Sequence, residues 1–202
     1  MTTQIKDVFR IGDLDFCLVS ISEPINFDPE IYGIIPESSC TACYRGYFCE
    51  YEVMDSGIFL RKLCINAKDN YYPPIEGIGP WLDEEGRWYH ECGHHIYKGL
   101  NIKINYTGKI LIGGEKVNWG FQKYGFLDPW AYEHLEELVF ENGSLIKRTD
   151  QSQTAARIRE EAKRYKALKT LLEEKKKQRH WGFGRKIEVP SWEPTPKLWW
   201  TK

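Results

Sequence analysis

The sequence predicts an α+β fold: a mainly antiparallel β-sheet built from about four hairpins, followed by one long C-terminal helix and a Trp/Pro-rich tail. Three observations predict it. Turn signals of the hairpin type recur between apolar runs with period-two alternation. After Thr154 the apolar period becomes helical. Prolines and tryptophans then interleave to the end of the chain. These boundaries divide the chain into a β-rich body over 1–150, a charged amphipathic helix over 151–180, and an aromatic, proline-containing tail over 181–202 packed on the body or on a partner.

The first hairpin is Val8–Ile11 and Leu14–Val19 around Gly12-Asp13, a glycine-first pair suited to a two-residue turn. Residues 22–43 lose periodicity and hold Pro24, Pro29 and Pro36, which makes them a long connection. The second hairpin alternates Tyr47, Cys49, Tyr51 and Val53, turns at Asp55-Ser56-Gly57, and returns over Ile58–Ile65. A third is expected from Ile102–Asn105, a turn at Tyr106-Thr107-Gly108, and Lys109–Gly114. The fourth places Asn142-Gly143 between Glu137–Glu141 and Ser144–Arg148; Asn-Gly is favoured where both central residues need positive φ. About eight strands result. The helix follows from Ile158, Ala162, Tyr165, Leu168 and Leu172 on one narrow stripe, with Ser152 or Thr154 as the expected cap.

Composition narrows the function classes. The chain has 202 residues, long enough to bury a core without disulfides or a metal. Its N-terminus shows neither the basic nor the apolar region of a secretory signal, so a cytoplasmic setting with reduced cysteines is expected. Its apolar runs fall far short of the ~20 residues that span a bilayer, and no membrane partner is expected. The net charge of −1 hides a division: residues 157–186 carry twelve Lys or Arg against four acids, whereas residues 1–156 carry 14 against 23. Neither a phosphate-binding glycine loop nor a nucleophile elbow is present.

Two sets of residues carry candidate chemistry. Cys40, Cys43, Cys92 and His95 have the C-x2-C and C-x2-H spacing of a zinc site, with His90 or His94 able to replace His95. Zinc is thus the one cofactor candidate; packing as small hydrophobes is the competing reading of the thiols. The second set is a partner-binding surface: Arg157, Lys163, Arg164, Lys175, Lys176 and Lys177 on the helix, with Trp192, Trp199 and Trp200 in the tail. Their charge and aromatic content point to another protein as partner. The expected function is a small protein-interaction module of the inhibitor, immunity or antitoxin-like kind, using an acidic body and a basic helix; the sequence leans away from an enzyme without deciding it. The alternatives are a zinc- or cysteine-dependent enzyme centred on His90–His95, and a nucleic-acid-binding protein in which the helix contacts phosphates.

Overall fold

Nine strands form one sheet in the computed structural model, which describes residues 4–82, 95–117, 127–178, 191–194 and 197–200. They are β1 (Val8–Ile11), β2 (Leu14–Ile21), β3 (Tyr47–Met54), β4 (Gly57–Ile65), β5 (Trp81–Leu82), β6 (His95–Ile104), β7 (Gly108–Lys116), β8 (Tyr132–Glu141) and β9 (Ser144–Asp150). The helix α1 (Ser152–Gln178) follows. Across the sheet the order is β5-β6-β4-β3-β1-β2-β7-β8-β9.

Local turn chemistry accounts for three of the expected hairpins. β1 pairs with β2, β3 with β4, and β8 with β9, all antiparallel. Asn142 and Gly143 take φ of 49° and 75°, the pair of positive values the tight β8–β9 turn requires. Two expectations need correction. The sheet is mixed, because β1 runs parallel to β3 from Val8↔Glu50 to Arg10↔Glu52. The third hairpin does not form: β6 pairs with β4 and β5, while β7 pairs with β2 and β8. Tyr106, read as a turn residue, is instead a buried anchor. Its ring meets Phe140 edge-on at 5.8 Å, and its hydroxyl lies 3.1 Å from the Glu23 carbonyl and 3.2 Å from that of Lys109.

That connection forces the sheet to coil. β6 and β7 stand five strand positions apart, which in a flat sheet is about 24 Å at ~4.8 Å per step. The link from Ile104 to Gly108 has four Cα–Cα steps and reaches at most about 14 Å. The two wings therefore curl towards each other, and their hairpin tips meet: a Cβ built on Gly57 would lie 2.0 Å from the Gly143 carbonyl oxygen.

Coiling gives the sheet an inner and an outer face. The inner face holds the main core, in which Phe9, Tyr51, Leu60, Ile110, Ile112, Leu138 and Phe140 interlock. Phe27 and Ile34 from the connection after β2, and Ile75 from the connection after β4, are buried in that same core. The outer face carries two smaller clusters. Cys43, Phe48, Cys64 and Ile96 form one, and Leu111, Trp130, Leu135, Ala155, Ile158 and Trp200 the other, beneath α1. Between them lie ion pairs from Glu50 to Lys62 and from Glu52 to Arg61, both at 2.6 Å. Among the described residues, no helix is long and apolar enough to cross a membrane.

Candidate interaction surfaces and the cysteine–histidine set

The sheet places the described members of the cysteine–histidine set on opposite faces. Cys40 and Cys43 sit in one turn, closed by the Cys43 N–H donating to the Cys40 carbonyl at 3.0 Å, and both pack on the outer cluster with Cys64 and Ile96. In β6, Ile96 pairs with Cys64 and His95 with Ile65, which belongs to the inner core. Successive strand side chains alternate, so His95 points away from the two thiols. Its ring stacks on Tyr72 at 3.7 Å, and its Nδ1 is buried without a hydrogen-bond partner among the described residues. Burial lowers the His95 pKa and keeps the ring neutral. Burial likewise pushes the Cys43 thiol up, which favours its protonated form in this packing. Among the described residues, no group of three or more His, Cys, Asp or Glu gathers as metal ligands do. Cys92, His90 and His94 lie outside the described residues.

The helix is seated at its start and exposed further on. Ala155, Ile158 and Ala162 are buried on β8 and on the short turn Pro129–Ala131. Asp150, not Ser152, caps it: the Ser152 N–H donates to Asp150 Oδ1 at 2.8 Å. Those bonds from Ser152 hold the Asp150 carboxyl below its usual pKa. The Ser152 hydroxyl donates to that same Asp150 oxygen at 2.5 Å and accepts from the Leu135 N–H at 3.1 Å. Arg159 latches the helix to the body, donating to the carbonyls of Trp130 at 2.8 Å and Tyr132 at 2.9 Å. The sequence signal for this is helical spacing: Arg159 is four residues after Ala155 and three before Ala162, which sets it beside the buried stripe.

Past Ala162 the exposure pattern changes. Arg157, Lys163, Arg164, Lys166 and Lys169 face solvent, and so do Leu168 (49% exposed) and Leu171 (55%). Lys175, Lys176 and Lys177 belong to the last turns, and their side chains lie outside the described ones. The tail residues pack on their own body. Trp192 meets Trp130 edge-on at 5.6 Å and stacks with Tyr165 at 6.2 Å. Trp199 donates from Nε1 to Glu137 at 2.5 Å, and Trp200 is 5% exposed under the helix.

A second surface was not singled out from the sequence. The segments 22–44 and 66–82 carry six acids, Glu23, Asp28, Glu30, Glu37, Asp69 and Glu76, against Lys68 alone. The fold lays them side by side. Glu37 N–H donates to the Asn66 carbonyl, Lys68 N–H donates to the Ile35 carbonyl, both at 2.9 Å, and Pro36 bridges Ala67. On this acidic face Ile31, Ile35 and Tyr71 are exposed. The backbone beneath them is held in unusual conformations. Of five non-glycine residues with positive φ among the described ones, Asp69, Asn70 and Glu76 are here. Each such residue costs about 1–2 kcal/mol for an ordinary side chain and less for Asp and Asn. The acid content was legible beforehand; that two distant segments share a face was not.

The N-terminal segment is clasped by the buried charge of the described residues. Asp7 accepts from the Cys49 N–H at 2.8 Å and from the Arg45 guanidinium, while Arg45 also donates to the Tyr47 carbonyl at 2.6 Å. Burial works against the Arg45 charge, but the Asp7 carboxylate outweighs it and holds the guanidinium protonated beyond its usual range. Beside this clasp, residues 4–7 and Leu18–Ile21 diverge around a cleft of about 450 Å³. Comparison with protein-family models, curated proteins and solved structures returned no match, so the functional reading rests on these surfaces.

Proposed function

We propose that this chain is a protein-interaction module of the inhibitor, immunity or antitoxin-like kind, binding through the projecting half of α1 and the acidic body. One observation carries the reading: Leu168 and Leu171 stand exposed among Arg164, Lys166 and Lys169, beyond the last residue that seats the helix. Burying a leucine contributes roughly 1.5–3 kcal/mol, so two on one docking stretch are a substantial share of a binding energy. A phosphate backbone offers those leucines no apolar partner, which favours a protein over a nucleic acid. The rigid coiled sheet supports this role by fixing the helix through Arg159, leaving little ordering entropy at the seated end.

The test uses a photo-cross-linking amino acid at Leu171 in the full chain, irradiated in its native host cells. A discrete protein adduct, reduced when Leu168 is changed to Glu, is the expected result. Adducts to nucleic acid alone, or none above a control position at Gln153, would count against the proposal.

A further inference from the structure

We propose that the surface complementary to the projecting half of α1 is the acidic face over residues 22–44 and 66–82 of a second copy of this chain. This rests on α1 being the binding element. The two surfaces match in sign and in kind. Residues 163–178 carry seven Lys or Arg against Glu173 and Glu174, and the acidic segments carry six acids against one lysine. Leu168 and Leu171 are exposed apolar side chains on one; Ile31, Ile35 and Tyr71 are exposed apolar side chains on the other. Exposed apolar side chains ringed by charge of one sign are the usual composition of a docking patch. The sixteen residues 163–178 extend about 24 Å at 1.5 Å per residue, long enough to lie across a face of this kind.

A helix cannot satisfy the acidic face of its own chain. α1 is held on the outer face of the sheet through Ala155, Ile158 and Arg159. The acidic segments instead insert Phe27, Ile34 and Ile75 into the core of the inner face. Reaching around would pull the helix from its seat. Between two copies nothing need move, and reciprocal exchange of helices closes a two-fold dimer with two identical contacts.

The experiment is sedimentation velocity of the full chain in about 50 mM and about 500 mM salt, where screening lengths are several ångströms apart. Two variants accompany the parent: R164E/K169E on the helix, and E30K/E37K on the acidic face. These four side chains are exposed, and unchanged thermal unfolding of each variant will show the fold retained. The expected result is a salt-sensitive oligomer for the parent and at least about tenfold weaker self-association for either variant alone. Mixing the two variants, whose charges are exchanged, should restore a heteromeric species at low salt. A monomer at every concentration, or an oligomer indifferent to both variants, would overturn the inference. A Leu171 adduct to a different protein from a chain that stays monomeric would leave the interaction module standing and remove the homotypic contact.

Discussion

Replacing Asp7 by Ala and by Asn separates two contributions made by one carboxylate. In Asp7→Ala the Cys49 N–H, inside a fully buried residue, loses its acceptor. An orphaned buried donor costs about 1–3 kcal/mol. The ion pair to Arg45 is lost as well, but Arg45 is 44% exposed and returns to water, so this part costs about 0.2–1 kcal/mol. The sum centres on about 2.5 kcal/mol, which for a chain of this size lowers Tm by about 5–10 °C. Asp7→Asn keeps an acceptor for Cys49 and loses mainly the charge, so about 1 kcal/mol is expected. Urea unfolding followed by tryptophan fluorescence measures both, with an unchanged m-value as the check that the denatured state is unaltered. If Asn proves as costly as Ala, the charge and not the buried donor governs the clasp. If Ala costs under about 0.5 kcal/mol, residues 4–7 do not hold β3 in the way the hydrogen bonds imply.

Three further outcomes are expected. Gly57→Ala places a methyl group 2.0 Å from the Gly143 carbonyl at a φ of 131°, so a loss of about 2–4 kcal/mol is expected, whereas Gly12→Ala, with nothing within 4 Å, loses about 1 kcal/mol; equal losses in urea titrations would contradict contact between the hairpin tips. Trp200→Ala should lose about 3–5 kcal/mol if the tail seals the cluster under α1, and a loss below about 1 kcal/mol by the same titration would show the tail undocked. His95 titrates below the ordinary histidine value of 6.5, so the unfolded chain takes up a proton that the folded chain refuses. Its contribution is complete above pH 6.5 and falls as the pH drops from there through the folded pKa. His95→Phe, which preserves stacking on Tyr72, should flatten that slope in urea midpoints measured between about pH 7.5 and 5; parallel profiles for parent and variant would refute it.

Local structure was legible wherever short-range chemistry decides it. Gly12-Asp13 and Asn142-Gly143 announce their turns because positive φ restricts the residues that fit. The helix start followed from the change of period; of the expected stripe Ile158 and Ala162 are buried, whereas Leu168 is exposed, because the body ends beneath the first turns of the helix. The failures share a cause: neighbouring strands need not be neighbours in sequence. Tyr106-Thr107-Gly108 signals a reversal of direction but says nothing about which strands flank it, and the partner of β1 lies 42 residues away at Glu50. Likewise Asp7 reads as an ordinary polar residue until Cys49 and Arg45 are brought to it. For the cysteine–histidine set, spacing along the chain located the Cys40–Cys43 turn, but which face of the sheet His95 points from depends on register, which spacing does not carry.

The four residues of β1 have a bearing on how the chain folds and on how it fails. β1 is inserted between β2 and β3 and is the strand through which the two wings share hydrogen bonds. It is made before its parallel partner β3, which follows only after the long connection between β2 and β3. Non-local pairings of this kind close slowly, because loop entropy is lost before contacts repay it. Until Val8–Ile11 dock, β2 and β3 each present an open edge to other chains, the geometry from which strand-to-strand aggregation begins. Changes that slow the docking of Val8–Ile11 without weakening its final pairing should therefore alter the yield of folded protein more than the stability of what has folded.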